Sequence, residues 1–387
     1  MVGLAGATAV AGYRGADRGA RRVARSRGTD RQWCLPSSDA RSAGRTGRGG
    51  SYGRARRDPP RTGHQGHGGP VPAARSRVVP SGRHREGAAH PEPCLVLEAC
   101  LTSAHSPVRD RAALRGVLAK AHSENFPVAL RLLPSAQRAH LLALYGFARM
   151  VDDLGDEAQG DRPWLLDEVS RDLGRIYTGA PPDGELYQRL ATTVYACGLP
   201  RAPFEHLVEA GRRDQTSHRY GTFDELRSYC ALSAEPVGRL VLGVFGVATP
   251  ERARLSDLVC CALQVLEHCQ DVVEDARAGR IYLPAEDLRR FGVAERDLLA
   301  PRATREVRAL VGFEVQRAVA LLDEGAALVA TLRGAARVAV AGYVAGGRAT
   351  AVALAEAGFD VLAATPRPTR ARTAAEAGRL LVKGGAR

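Results

Sequence analysis

The chain's 387 residues suffice for one large domain or two ordinary ones, and at 45% hydrophobic they can bury a substantial core. The formal net charge of +13 belongs to residues 1–90, which hold 18 Arg, no Lys and 5 acids. The remainder is electrically balanced and lacks the basic face that phosphate-backbone binding requires. Eight Cys without a CxxC pair exclude a zinc-ribbon reading and suit buried free thiols in a reducing cytosol. No apolar run approaches the roughly 18–20 residues of a transmembrane helix, and the short apolar start, Val2 to Val10, is followed too soon by Arg and Gly for a secretory signal.

Residues 1–108 are rich in Arg, Gly, Ser and Pro and show neither a 3.6 nor a 2.0 apolar period. Such a segment buries too little apolar area to offset its ordering entropy, so disorder is expected. Two other readings stand beside it. An Arg/Gly arm suits RNA or an anionic membrane surface. Alternatively, translation starts downstream at a non-Met codon, because the next Met after Met1 is Met150. From 109 to 370 the texture is that of one all-α domain. Apolar periodicity predicts helices near 136–156, 163–177, 184–197, 203–219, 223–231, 236–246, 256–278, 304–331, 334–344 and 347–357. Pro134-Ser135 offers a turn and N-cap before the first, and Gly279 a stop after 256–278. Residues 371–387 read as a flexible basic tail.

Two of these helices carry chemistry. In the first, Tyr145, Arg149, Asp152 and Asp156 are spaced 4, 3 and 4, which places them on one face with Asp153 beside it. The helix before Asp152 is apolar nearly all round, a pattern of burial. Its acids then sit at the negative end of the helix dipole, where carboxylates are disfavoured. In the second, Glu267, Asp271 and Asp275 fall at i, i+4 and i+8. Either wall alone also reads as a solvated helix end. Two facing walls make a cleft for hard divalent cations such as Mg2+, whose open positions take phosphate oxygens, so the pair points to a diphosphate substrate. Arg149, Arg239 and Arg280 are permanent cations suited to that group, although each alone also reads as a surface Arg.

The segments His122-Ser-Glu-Asn-Phe126-Pro, Tyr145–Asp156, Arg213-Asp214-Gln215, Tyr229–Arg239, Asp271–Pro284 and Val344–Arg348 occur in one order. Together they resemble the head-to-head prenyl synthases of the squalene/phytoene synthase family, over about residues 115–365. The Ser-Glu-Asn-Phe-Pro-Val form is most similar to the HpnC subgroup, the hydroxysqualene synthases of the bacterial hopanoid pathway. The resemblance implies an all-α terpene (isoprenoid) synthase fold around a central cavity. It assigns Asp152, Asp153, Asp156, Asp271 and Asp275 to the two Asp-rich metal motifs, with catalysis resting on Asp152, Asp156, Asp271, Asp275 and Tyr229. It places His122, Ser123, Phe126 and Tyr145 near the first substrate site, and Arg149, Arg239, Arg280 and Tyr282 on the diphosphate. Asp214, Ser233 and Gln264, from the same motifs, join the substrate-binding set. Glu267 stands where most members carry Asn and adds a carboxylate to the metal wall.

The implied reaction is Mg2+-dependent loss of pyrophosphate from presqualene diphosphate, with water quenching the cation to give hydroxysqualene. Phe126, Tyr145, Phe147 and Tyr229 are candidates to face that cation. The sibling reading is condensation of two farnesyl diphosphates to presqualene diphosphate or squalene, or a phytoene-type synthase, with NADPH needed only by a full squalene synthase. Readings from other classes are an inactive helical partner subunit and a nucleic-acid-binding protein acting through residues 1–90. The expected location is the cytoplasm, with peripheral contact at the inner membrane face for very apolar products. Sibling hopanoid-pathway enzymes are the expected partners.

Overall fold

The computed structural model describes residues 132–156 and 158–383. Among them every regular element is helical, apart from one isolated parallel bridge between Arg219 and Ile281. In chain order the helices are α1 (Ser135–Asp156), α2 (Arg162–Thr178), α3 (Glu185–Cys197), α4 (Ala202–Asp214), α5 (Phe223–Ser233), α6 (Glu235–Val244) and α7 (Pro250–Gln270). There follow α8 (Val272–Arg277), α9 (Ala285–Phe291), a 3-10 turn at Glu295–Leu299, α10 (Arg305–Gly325), α11 (Ala327–Thr331), α12 (Gly334–Glu356) and α13 (Arg370–Lys383).

Local chemistry sets many of these boundaries. Helices α2, α5, α7 and α10 start behind Asp161, Thr222, Thr249 and Thr304, whose side-chain oxygens each accept the N–H of the third helical residue. The chain's apolar stripes then meet in three clusters. One gathers α1 to α4 and α6 around Phe147, Leu166, Tyr187 and Phe204. A second joins α5, α7 and α10 around Tyr229, Leu266 and Leu310. A third packs α7 and α10 to α13. The candidate site draws its residues from elements of the first two.

Five sequence expectations change. The helix predicted over 256–278 is broken at Asp271, whose backbone (φ −99, ψ 15) ends α7 and opens α8. The helix expected to run to 219 ends at Asp214. The helices expected at 334–344 and 347–357 are one, α12, because Gly346-Gly347 serves packing and not a turn. A Cβ on Gly347 would lie 2.7 Å from Leu263 Cδ2 and 2.8 Å from Leu322 Cδ2. The same helix is long and apolar enough to cross a membrane, contrary to the expectation that no run approaches that length, yet most of it is buried among its neighbours. Finally, residues 371–383, expected as part of a flexible tail, belong to α13. It packs on α12, with Arg337 Nη2 donating to Leu381 O at 2.7 Å.

Candidate active site

The first acidic wall is the C-terminal turn of α1. Arg149, 3% exposed, puts Nε 2.8 Å from Asp153 Oδ1 one turn later, an ion pair inside a buried helix. This offsets only one of three acids at an end where the helix dipole disfavours them. Asp152 keeps a buried Oδ2 with no hydrogen-bond partner among the described residues. Burial raises its carboxyl well above the ordinary range, against the pull of Arg149. Burial likewise raises Asp156, against Arg280. The neighbouring helix end is tied in by Gln215, whose Nε2 donates to Gly155 O and Gly211 O, each at 2.9 Å.

The second wall turns with the chain. Asp271 sits at the α7–α8 junction, its O accepting from Asp275 N at 2.8 Å, and Arg280 N returns to Asp275 O at 2.8 Å. The segment after it is pinned beside 218–220 by Ile281 N→His218 O (2.9 Å) and Ala285 N→Tyr220 O (2.8 Å). That anchoring aims Arg280 at both walls. Its Nη1 lies 3.0 Å from Asp156 Oδ1 and its Nη2 3.7 Å from Asp275 Oδ1. Burial pushes Asp275 up to about 7 despite that guanidinium. Glu267 and Asp271 are buried on the same stretch.

Beside Asp152 and Asp156 a recess is completed by Gly155, Leu207, Ala210, Gly211, Asp214 and Ser233. Tyr229 Oη donates to Asp214 Oδ2 at 2.7 Å. Burial pushes Asp214 up to about 7, and the tyrosine bond opposes this. Asp214 Oδ1 and Ser233 Oγ are buried without hydrogen-bond partners among the described residues. Behind them lies an aromatic group. Tyr229 is 5.4 Å from Tyr220 and 5.7 Å from Tyr282, centroid to centroid, and Tyr282 stacks on His268 at 3.8 Å and 11°. Burial pushes His268 down to about 3, so the ring is neutral at physiological pH. Gln264 Nε2 lies 3.3 Å from its Nε2, and its Nδ1 is 4.0 Å from Asp275 Oδ2.

Most of the expected site residues therefore converge. Asp152, Asp153, Asp156, Asp275, Arg149, Arg280, Asp214, Ser233, Gln264, Tyr229 and Tyr282 are linked by the contacts above, and Tyr145 is buried on the same helix. Two do not join them. Arg239 is held by Asp257 (3.0 and 2.8 Å) and Glu235 (3.2 Å) and has no ion pair to either wall. Phe147 is fully buried and packs edge-to-face on Phe204 at 5.3 Å, so it is core and not a cavity wall. His122, Ser123 and Phe126 lie outside the described residues. His268 and Tyr220 were missed. The signal for His268 was its place four residues after Gln264, on the same helix face. Among the described residues, no three His, Cys, Asp or Glu side chains converge closely enough to hold a metal ion by themselves.

Helices alone, arranged so that two acidic walls clasp an arginine, define the isoprenoid-synthase type of fold. A model of the squalene/phytoene synthase family matches residues 119–374, and the chain belongs to that family. It is similar to the crystal structure of squalene synthase HpnC from Alicyclobacillus acidocaldarius, with 43% identity and a TM-score of 0.58 over 65% of this chain and 97% of that one. The hydroxysqualene synthase of Sinorhizobium fredii is 34% identical over 54% of this chain and 72% of its own length. Phytoene synthase 1 of Zea mays is 30% identical over 57% of this chain and 56% of its own, so the chain spans little more than half of that relative. A dehydrosqualene synthase at 22% identity shares the fold, with a TM-score of 0.65.

Proposed function

We propose that the protein converts presqualene diphosphate to hydroxysqualene, releasing pyrophosphate with the help of Mg2+. The observation that carries this reading is the pair of acidic walls with Arg280 between them, found in a chain 43% identical to HpnC and 34% identical to a hydroxysqualene synthase.

The donor set suits a divalent cation: hard carboxylate oxygens, of which Asp152 Oδ2 is buried and unpartnered. Asp152, Asp156, Asp271 and Asp275 would hold it, with Asp153 and Glu267 adding charge, and a bound ion would neutralise charge developing on the leaving diphosphate. Arg280 supplies a fixed positive charge at the same place, and Arg149 holds the first wall in register through Asp153. Behind the recess the buried rings of Tyr229, Tyr282 and Tyr220 pack on one another and hold Asp214 in place through the Tyr229 hydroxyl. His268 helps because it is neutral; a charged imidazolium stacked on Tyr282 would oppose the carbocation formed as the diphosphate leaves.

A second reading is condensation of two farnesyl diphosphates, and the match to a structure described as a squalene synthase favours it. The test is product analysis. The full chain is incubated with Mg2+ and either presqualene diphosphate or farnesyl diphosphate, each with and without NADPH, and extracts are read by mass spectrometry. Hydroxysqualene from presqualene diphosphate, lost in Asp271→Ala, supports the first reading. Presqualene diphosphate or squalene made from farnesyl diphosphate replaces it with the second.

A further inference from the structure

We infer that Asp214 and Ser233 hold the water molecule that quenches the carbocation, so that these two residues decide where the product carries its hydroxyl. The inference rests on the reading that presqualene diphosphate is the substrate, and it adds the residues that position the second reactant.

The recess beside the first acidic wall carries it. Three of its lining side chains end in buried oxygens with no hydrogen-bond partner among the described residues: Asp152 Oδ2, Asp214 Oδ1 and Ser233 Oγ. Buried polar atoms in native proteins nearly always have a partner, so three such atoms around one recess point to something held there. Asp152 belongs to the wall read as serving the metal ion. The other two stand apart from that wall, on α4 and α5. Asp214 is 7% exposed, and its Oδ2 already accepts the Tyr229 hydroxyl at 2.7 Å, which fixes the carboxyl and leaves Oδ1 for a different partner. Ser233, 1% exposed, follows Tyr229 by four residues on α5. It therefore sits one turn along the same helix face from the residue that holds Asp214. The cavity measures about 10 Å³, room for one water molecule. Apart from the three acids and Ser233, its lining is glycine, alanine and leucine.

A water between Asp214 Oδ1 and Ser233 Oγ can donate a hydrogen to each and keep its lone pairs for an electrophile. The step balances without oxidation or reduction. The C–O bond to the diphosphate breaks and its electron pair leaves on pyrophosphate. A lone pair of the water then forms the new C–O bond to the carbocation, and the proton that the water gives up ends on the departed pyrophosphate, a base that the reaction itself delivers. The apolar part of the lining keeps bulk water out. Without the held molecule, the cation loses a proton to give a hydrocarbon, or meets stray water and gives an isomeric alcohol.

The experiment incubates the full chain with Mg2+ and presqualene diphosphate and reads every product by gas chromatography and mass spectrometry, for wild type, Ser233→Ala and Ser233→Thr. The ratio of hydroxysqualene to all other products is the readout. It does not depend on how much enzyme folds or how fast it turns over, so a merely structural role for Ser233 would not move it. Wild type should give mainly hydroxysqualene. Ser233→Ala should lower the ratio at least about fivefold, the effect of losing one hydrogen bond to the attacking water. Ser233→Thr, which keeps a hydroxyl, should recover most of it. A ratio in Ser233→Ala equal to that of wild type overturns the inference and leaves the proposed reaction standing. A wild type that makes no hydroxysqualene sinks the proposed reaction, and the inference with it. If Ser233→Ala does not fold, a high-resolution crystal structure of wild type with no water within about 3.2 Å of both Asp214 Oδ1 and Ser233 Oγ overturns the inference instead.

Discussion

Substituting Tyr229 by Phe removes one hydroxyl from a fully buried ring and should destabilise the protein by an amount that depends on pH. The lost bond is the 2.7 Å donation to Asp214 Oδ2, and Asp214 Oδ1 has no partner among the described residues. Asp214 would then be buried with neither oxygen bonded by a described residue. Burial raises this carboxyl to about 7 from an unfolded value near 3.8. Native Asp214 therefore keeps its proton through a range in which the unfolded chain has released it, and its contribution to stability falls as pH rises from about 4 to 7. The slope is at most about 1.4 kcal/mol per pH unit. At pH 5 the tyrosine bonds a neutral carboxyl, worth about 1 kcal/mol, and at pH 8 a carboxylate, worth about 2 kcal/mol or more. Urea denaturation of wild type and Tyr229→Phe at pH 5 and pH 8 measures both. Asp214→Asn is the control: in that background the cost of Tyr229→Phe should be nearly independent of pH over this range. Equal costs for Tyr229→Phe at the two pH values would refute the assignment of a proton to Asp214 near neutrality.

Other outcomes follow from the same packing. Phe147→Ala should cost about 3–5 kcal/mol in urea titrations, because the ring is fully enclosed against Phe204. A loss below about 1 kcal/mol would show that Phe147 lines open space. Arg317→Met should cost roughly 3–5 kcal/mol in the same assay. Arg317 pairs with Asp287 at 2.9 Å and with nearly fully buried Glu314 at 3.0 Å, and removing it strands two acids in the interior. An unchanged melting curve would count against that network. The ring carbons of His268 should show no NMR titration between pH 5 and 8, since burial holds its pKa near 3. A midpoint near 6.5 would mean that water reaches the ring.

The helical class and both acidic motifs were legible in the sequence because each is a local pattern: apolar residues at 3.6-residue spacing, and carboxylates at i, i+4 on one face. Long-range pairing was not legible. Arg239 and Arg280 look alike in sequence, yet one is taken up by Asp257 and the other spans the two walls. Phe147 and Tyr229 were equal candidates to face a cation, but only a packed core separates a ring that meets Phe204 from one that meets Asp214. The break at Asp271 was hidden because Val272 to Arg277 has helical composition on its own. The glycine pair in α12 misled because close approach and chain reversal use the same residue.

Arg280 lies 124 residues beyond Asp156 in the chain. During synthesis at about 5–20 residues per second, the first acidic wall therefore leaves the ribosome on the order of ten seconds before its cross-wall cation exists. Arg149 travels with that helix and neutralises Asp153 from the outset, which leaves Asp152 and Asp156 to wait for the C-terminal half. The bridge between the walls is thus a late product of synthesis, and a ribosome stalled shortly before residue 280 would hold a nascent chain with every residue of the recess and no arginine across its walls.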